Sequence, residues 1–173
     1  MAEKTVLEGI KIGLVGTRGT IGSKAYENEI TKLKPEAQVF GQACPLLVSL
    51  IEEGYEDKPE TKTILKKYLI PLRQKGIDTL ILGCTHYPII KKLFEKKIGR
   101  GVKVLDTGRI VAESLKDYLT RHSEIESKLA KNGKRIFCTT DSAERFDQLG
   151  SKFFGQKIKS EKVELYIQDD SNS

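Results

Sequence analysis

Tryptophan is absent from this 173-residue sequence, methionine occurs once and histidine twice, and the three cysteines, Cys44, Cys84 and Cys138, stand far apart. Two histidines and three scattered thiols offer no ligand set with metal-site spacing, so no metal is predicted. An odd number of cysteines without a close pair gives no disulfide framework either, and at least one thiol stays free. No apolar run approaches the length that spans a bilayer, and the opening residues MAEKTVLEG hold no signal-peptide core. These absences predict a cytoplasmic protein with no membrane partner.

A strongly basic surface is missing too. The net charge is +6, but the lysines are mixed with acids in ITKLKPE and KKLFEKKIGR, and no basic stripe is interleaved with aromatics. That pattern is read as a solvated surface with no nucleic-acid partner. The length accommodates one domain with a core, or one domain plus the remnant of another, but not two full domains.

What is present alternates between strands and helices. IKIGLV (10–15) reads as a strand that breaks into a loop, GTRGTIGS, before SKAYENEITKLK takes helical spacing. AQVFG (37–41) is a second strand, and in ACPLLVSLIEEG the residues Leu46, Leu47, Leu50 and Ile51 share a helical face up to Gly54. A longer helix starts at Pro59, with Pro71 expected to kink its last turn and Gly76 to end it. IDTLIL (77–82) is the clearest strand, and the turn GCTHYP leads into the helix IIKKLFEKKIG. VKVLD (102–106) follows, with Thr107 as N-cap of GRIVAESLKDYLTRH. Beyond a polar stretch come a strand in KRIFCTT, a helix near SAERFDQLGSKFF and a last strand, KVELYI, before the tail QDDSNS. The alternation predicts an α/β fold, a parallel sheet flanked by helices with right-handed crossovers. No internal repeat is present.

In such sheets ligands bind beyond the C-terminal ends of the strands. GTRGTIGS lies at one such end and offers backbone N–H groups with the hydroxyls of Thr17, Thr20 and Ser23. It lacks the Gly-Lys-Ser/Thr ending of a P-loop and the glycine spacing of a dinucleotide fingerprint, so a small-anion site and a plain tight turn stand level. ILGCTHYPII is the other end. A thiol just before a helix N-terminus feels the positive end of the macrodipole, and His86, two residues on, can take or return its proton. Against this, an isolated Cys-x-His is more often a small core filler beside a capping imidazole. Glu52 and Glu53 are by default solvated, and His122 ends a surface helix. The residues alone reach a small-anion site with one thiol.

LILGCTHYPII resembles the second cysteine signature of the glutamate racemases, in the aspartate/glutamate racemase superfamily. IGLVGTRGTIGSKAY is similar to the family's second-domain opening, ACPLLVSLIEEG to its Cys-Pro and Glu-Gly segment, and FCTTDSAERF to its C-terminal Thr-Thr strand and helix. The resemblance implies cofactor-independent racemisation of L-glutamate to D-glutamate for peptidoglycan, by two cysteines on opposite faces of the substrate α-carbon. Carried over, Cys84 is the second of the pair and His86 assists its proton transfer. Thr85, with His86, holds the amino acid, Thr17 and Thr20 line the carboxylate site, and Glu52 lies near the pocket entrance, although Ser49 stands where a proline is common.

The family's first domain, with an Asp-Ser motif and the first catalytic cysteine in Cys-Asn-Thr, has no counterpart in these residues. Cys44 matches the Ala-Cys-Pro segment and Cys138 the C-terminal strand. The resemblance therefore implies a linker at 1–9, the second α/β domain at 10–110, a β-α-β remnant at 111–168 that packs on the first domain, and a disordered tail at 169–173. A chain short of one thiol is expected to be weakly active or inactive alone. Its expected partners are glutamate and either a second copy, as a homodimer, or the missing first-domain half. Two alternatives are a non-catalytic module that binds an acidic amino acid or pairs with a partner, and a racemase for aspartate or another amino acid.

Overall fold

The computed structural model describes residues 11–165. The expected linker, Ile10, the end of KVELYI and the tail lie outside the described residues. The chain divides into two compact units, residues 1–127 and 128–173.

In the first unit β1 (Lys11–Gly16), β2 (Gln38–Ala43), β3 (Thr79–Leu82) and β4 (Lys103–Leu105) form one parallel sheet in the order β2-β1-β3-β4. The predicted fold class is the one observed. The central strands are rich in apolar residues because both faces are covered: Ile12, Leu14 and Val15 of β1 and Leu80, Ile81 and Leu82 of β3 are all buried. Strand alternation sends Ile12, Leu14, Ile81 and Leu105 to one side, where they pack with Ile30 of the helix Ala25–Leu33 (α2, after the short α1, Arg18–Gly22).

The opposite layer is built by α4 (Pro59–Gln74), which follows α3 (Leu47–Glu52), and by α5 (Lys91–Ile98). These helices bury Leu65, Leu69 and Leu72, and Phe94 and Ile98, at spacings of three and four that make one apolar stripe. Truncating Leu69, which has no exposed surface, to alanine would cost about 2–5 kcal/mol. Gly13 permits the close approach of this layer, since a Cβ there would lie 2.5 Å from Ile77 Cδ1 and 3.3 Å from Leu72 Cδ1.

Two local expectations change, and the predicted span of α4 is the one observed. GTRGTIGS is not a loop throughout: Thr17 caps α1 by accepting a hydrogen bond from the Thr20 backbone N–H. α4 continues through Pro71 to Gln74, with Gly76 at φ +64° just beyond. The N-cap of α6 (Thr107–Arg121) is Asp106, whose carboxylate accepts from the Arg109 N–H, so Thr107 is already inside the helix. A further single turn, α7 (Ser123–Glu126), closes the unit. α6 buries none of its residues, and Val111 and Leu115 are 67% and 56% exposed. Among the described residues no helix is long and apolar enough to cross a membrane.

The second unit is a small parallel β-α-β: β5 (Phe137–Thr139), α8 (Ala143–Phe154) and β6 (Ser160–Lys162), with Phe137 in register with Ser160. Among the described residues the last strand therefore begins two residues ahead of KVELYI and overlaps it only at Lys162. Its start is fixed by the Ser160 N–H, which donates to Asp147 Oδ1 of α8 at 2.7 Å, an anchor that outweighs the alternating pattern of the following residues.

Candidate active site

The strand order creates a switch point. From β1 the chain runs outward to β2, then returns across β1 to β3, leaving a crevice beyond the C-terminal ends of β1 and β3. Backbone hydrogen bonds carry the ladder past the strands into this crevice: the Gly83 N–H donates to the Val15 carbonyl at 2.7 Å, and the Cys44 N–H to the Gly16 carbonyl at 2.8 Å. Thr17, Cys44 and Cys84 thus leave adjacent strands side by side. Thr107 joins from β4, its hydroxyl donating to the Leu82 carbonyl at 3.4 Å.

Thr17 and Thr20 are half-buried, and their hydroxyl oxygens lie 3.0 Å apart. One hydroxyl proton is used within the pair, which leaves the other as a donor. Thr85 is exposed on the loop after β3.

Cys84 and His86 come from one loop and Glu52 from the last residue of α3. Cys84 Sγ lies 3.9 Å from His86 Nδ1, and His86 Nε2 lies 3.0 Å from Glu52 Oε1. The side chains of His86 and Glu52 are 27% and 29% exposed, so the pair is shielded yet reachable. An ionised Glu52 holds the imidazole proton on Nε2, which turns the Nδ1 lone pair toward the thiol. The result is a chain of three groups able to move one proton to or from sulfur.

Cys44 is chemically different from Cys84. It is fully buried, its thiol faces the Gln42 carbonyl at 3.6 Å, and burial, then the nearby Cys84, push its pKa from 9.0 up to about 12. Cys44 therefore stays protonated wherever the chain is folded at ordinary pH. Tyr87, also fully buried, donates its hydroxyl to the Cys44 carbonyl at 3.1 Å.

The structure brings Cys84, His86 and Glu52 together and sets Thr17 and Thr20 at the neighbouring strand end. His122 stands apart from this set, with Nδ1 3.1 Å from Glu124 Oε1 at the end of α6. Among the described residues no group of three or more His, Cys, Asp or Glu side chains is arranged to hold a metal. Two features carried no local signal in the sequence. The Glu52–His86 contact spans 34 positions, and the hydroxyl of Tyr87, in the turn GCTHYP, reaches a carbonyl 43 positions away.

The family model for Asp/Glu/hydantoin racemases matches residues 1–115. The glutamate racemase of Geobacter metallireducens is 40% identical over 152 residues, covering 86% of this chain and 54% of the relative. That of Syntrophus aciditrophicus is 38% identical, covering 89% and 57%. Among solved structures, glutamate racemase isoform RacE1 of Bacillus anthracis superposes with a TM-score of 0.85 at 32% identity, over 96% of this chain and 63% of that one. The glutamate racemase of Francisella tularensis, solved with D-glutamate, gives 0.83 at 33%, over 94% and 61%. The chain spans about half the length of the curated relatives it matches.

Proposed function

Since the chain belongs to the Asp/Glu/hydantoin racemase family, we propose that it supplies the Cys84 half of a two-thiol racemisation of glutamate, the reaction that provides D-glutamate for peptidoglycan. The observation that carries this is the contact series from Cys84 Sγ through His86 to Glu52 at the switch point of the sheet. As thiolate, Cys84 takes the α-proton from one face of the substrate and becomes a thiol, with His86 accepting the thiol proton before that step. A second thiol gives its proton to the opposite face, and the α-carbon leaves with inverted configuration. Thr17 and Thr20 present hydroxyls for the α-carboxylate, and Thr85 lies on the loop that would border the amino acid.

The resemblance places the thiol that partners Cys84, the family's first catalytic cysteine, in a Cys-Asn-Thr sequence, which does not occur in these 173 residues. Cys44 is no substitute, because its thiol is fully buried and has no exposed surface from which to meet a substrate. In this picture residues 111–168 pack on the polypeptide that carries the other thiol. The exposed apolar side of α6, with Val111 and Leu115, supports that assignment. A non-catalytic module that binds an acidic amino acid, or a racemase for aspartate, draws on the same site.

The test is D-glutamate formation by the purified chain, alone and mixed with a polypeptide carrying the Cys-Asn-Thr cysteine. Slow or no turnover alone and a marked gain in the mixture are expected. Turnover by the chain alone equal to that of a full-length racemase would overturn the half-site proposal. Glutamate binding with no turnover in the mixture would favour the module.

A further inference from the structure

We propose that Tyr87 is a positioning residue, whose hydroxyl sets the spacing of Glu52 from His86 and so governs how readily Cys84 gives up its proton. Two segments meet at the site, Cys44 to Glu52 and Cys84 to Ile90, and two bridges join them. At the entry of α3, Tyr87 Oη donates to the Cys44 carbonyl at 3.1 Å. At its exit, His86 Nε2 meets Glu52 Oε1 at 3.0 Å. The bridges start from neighbouring residues of one loop and bracket a helix of six residues, a rod about 9 Å long.

The entry bridge bears directly on where the rod begins. The Cys44 carbonyl also accepts from the Leu47 N–H at 3.2 Å, so the group that Tyr87 holds is the one that closes the turn leading into α3. Leu47 and Ile51, neither with any exposed surface, fix the roll of the helix and leave Glu52 directed at the loop. On its own side Tyr87 is equally constrained. Its ring is fully buried 5.6 Å from that of Phe94, and its backbone N–H donates to the Cys84 carbonyl at 3.1 Å. Tyr87 therefore touches the backbone of Cys84 at one end and the start of α3 at the other.

A phenylalanine would fill the same space without burying a hydroxyl, and burial of a hydroxyl is offset only when it finds a partner. Here the partner is the carbonyl at the entry of α3. The titratable groups facing the phenol are Cys44, Cys84 and Tyr68. Burial first, and then these neighbours, hold its proton on, so it remains a donor over the range in which a thiol titrates.

The proposal rests on taking Cys84 as the proton-transferring thiol, but its test needs no substrate. In the full 173-residue chain, iodoacetamide labelling of Cys84 is followed by site-resolved mass spectrometry as a function of pH, with the exposed Cys138 as internal reference. Tyr87→Phe is expected to slow Cys84 labelling near neutral pH by about three- to tenfold and to move half-maximal labelling to higher pH. Glu52→Gln should do the same, and the double variant should lose no more than the larger single effect, because both act through one contact. A Tyr87→Phe profile that superimposes on the parent, with or without a lowered melting temperature, overturns the proposal, as does strict additivity in the cycle. Should the variant fail to fold, nitrogen NMR of the unaltered chain decides: the Nε2–H tautomer of His86 is expected, and the Nδ1–H tautomer would overturn it. A positive cycle with no racemisation in the complemented mixture would instead sink the racemase proposal alone.

Discussion

His86 stands between a thiol and a carboxylate, its Nδ1 3.9 Å from the Cys84 sulfur and its Nε2 3.0 Å from a Glu52 oxygen. The contact with Glu52 gives the imidazole a preferred tautomer, and the tautomer gives the thiol a base. Neither effect requires a charge on the histidine in the resting state.

His86→Asn keeps a polar side chain of similar reach but cannot carry the proton. In a complemented racemase, kcat should fall by about 10²–10⁴, the range for loss of a positioned acid–base group. Measured D-glutamate formation within twofold of the parent would remove His86 from the proton path.

Cys44 provides a separate signature in stability. Its pKa is 9.0 when unburied and about 12 in the fold. Below pH 9 both states hold the proton and the thiol has no effect. Between pH 9 and 12 only the unfolded state releases it, so stability falls as pH rises, by about 1.4 kcal/mol per pH unit. Tyr87 adds to the slope only above its ordinary value of 10.0. Urea midpoints of Cys44→Ala should therefore decline less steeply than those of the parent between pH 9 and 10, and parallel slopes would contradict the assignment.

The parts of this fold that depend on local pattern are readable in the residues. Leu80, Ile81 and Leu82 announce β3, and Leu65, Leu69 and Leu72 announce α4 by period. α1 escapes notice because Gly19 and Gly22 argue against a helix, while its cap, Thr17, sits in an apparent loop. β6 escapes for the opposite reason: Ser160–Lys162 has no apolar residue, and only pairing with Phe137–Thr139 and the Asp147 anchor make it a strand. At the site, Cys84 and His86 are adjacent enough to be seen together, whereas Glu52 meets His86 only after the chain has crossed the sheet.

Gly83 and Gly22 should respond oppositely to alanine. A Cβ on Gly83 would lie 3.0 Å from the Val15 carbonyl oxygen and 3.0 Å from Leu14 Cδ1, and the backbone oxygen cannot give way without disturbing the ladder that places Cys84. Gly83→Ala should cost about 1–3 kcal/mol in urea denaturation. Nothing lies within 4 Å of a Cβ on Gly22, the last residue of α1, so Gly22→Ala should be neutral or stabilise by up to about 1 kcal/mol. A tolerated Gly83→Ala would show that the loop can shift without cost.

The exposed side of α6 permits a test that separates folding of the chain from assembly. Leu115 is 56% exposed and α6 buries no residue, so Leu115→Lys removes little that the chain itself uses. Its unfolding free energy from urea denaturation should change by less than about 0.5 kcal/mol. If this side packs on the polypeptide that brings the second thiol, a lysine there would be desolvated without a partner, and complemented D-glutamate formation at fixed concentrations should drop by about tenfold or more. Lys66→Ala, an exposed change on α4, serves as the control and should leave complementation intact. Equal complementation by both variants would mean that α6 does not meet the second half, and that residues 111–168 do not pack as proposed.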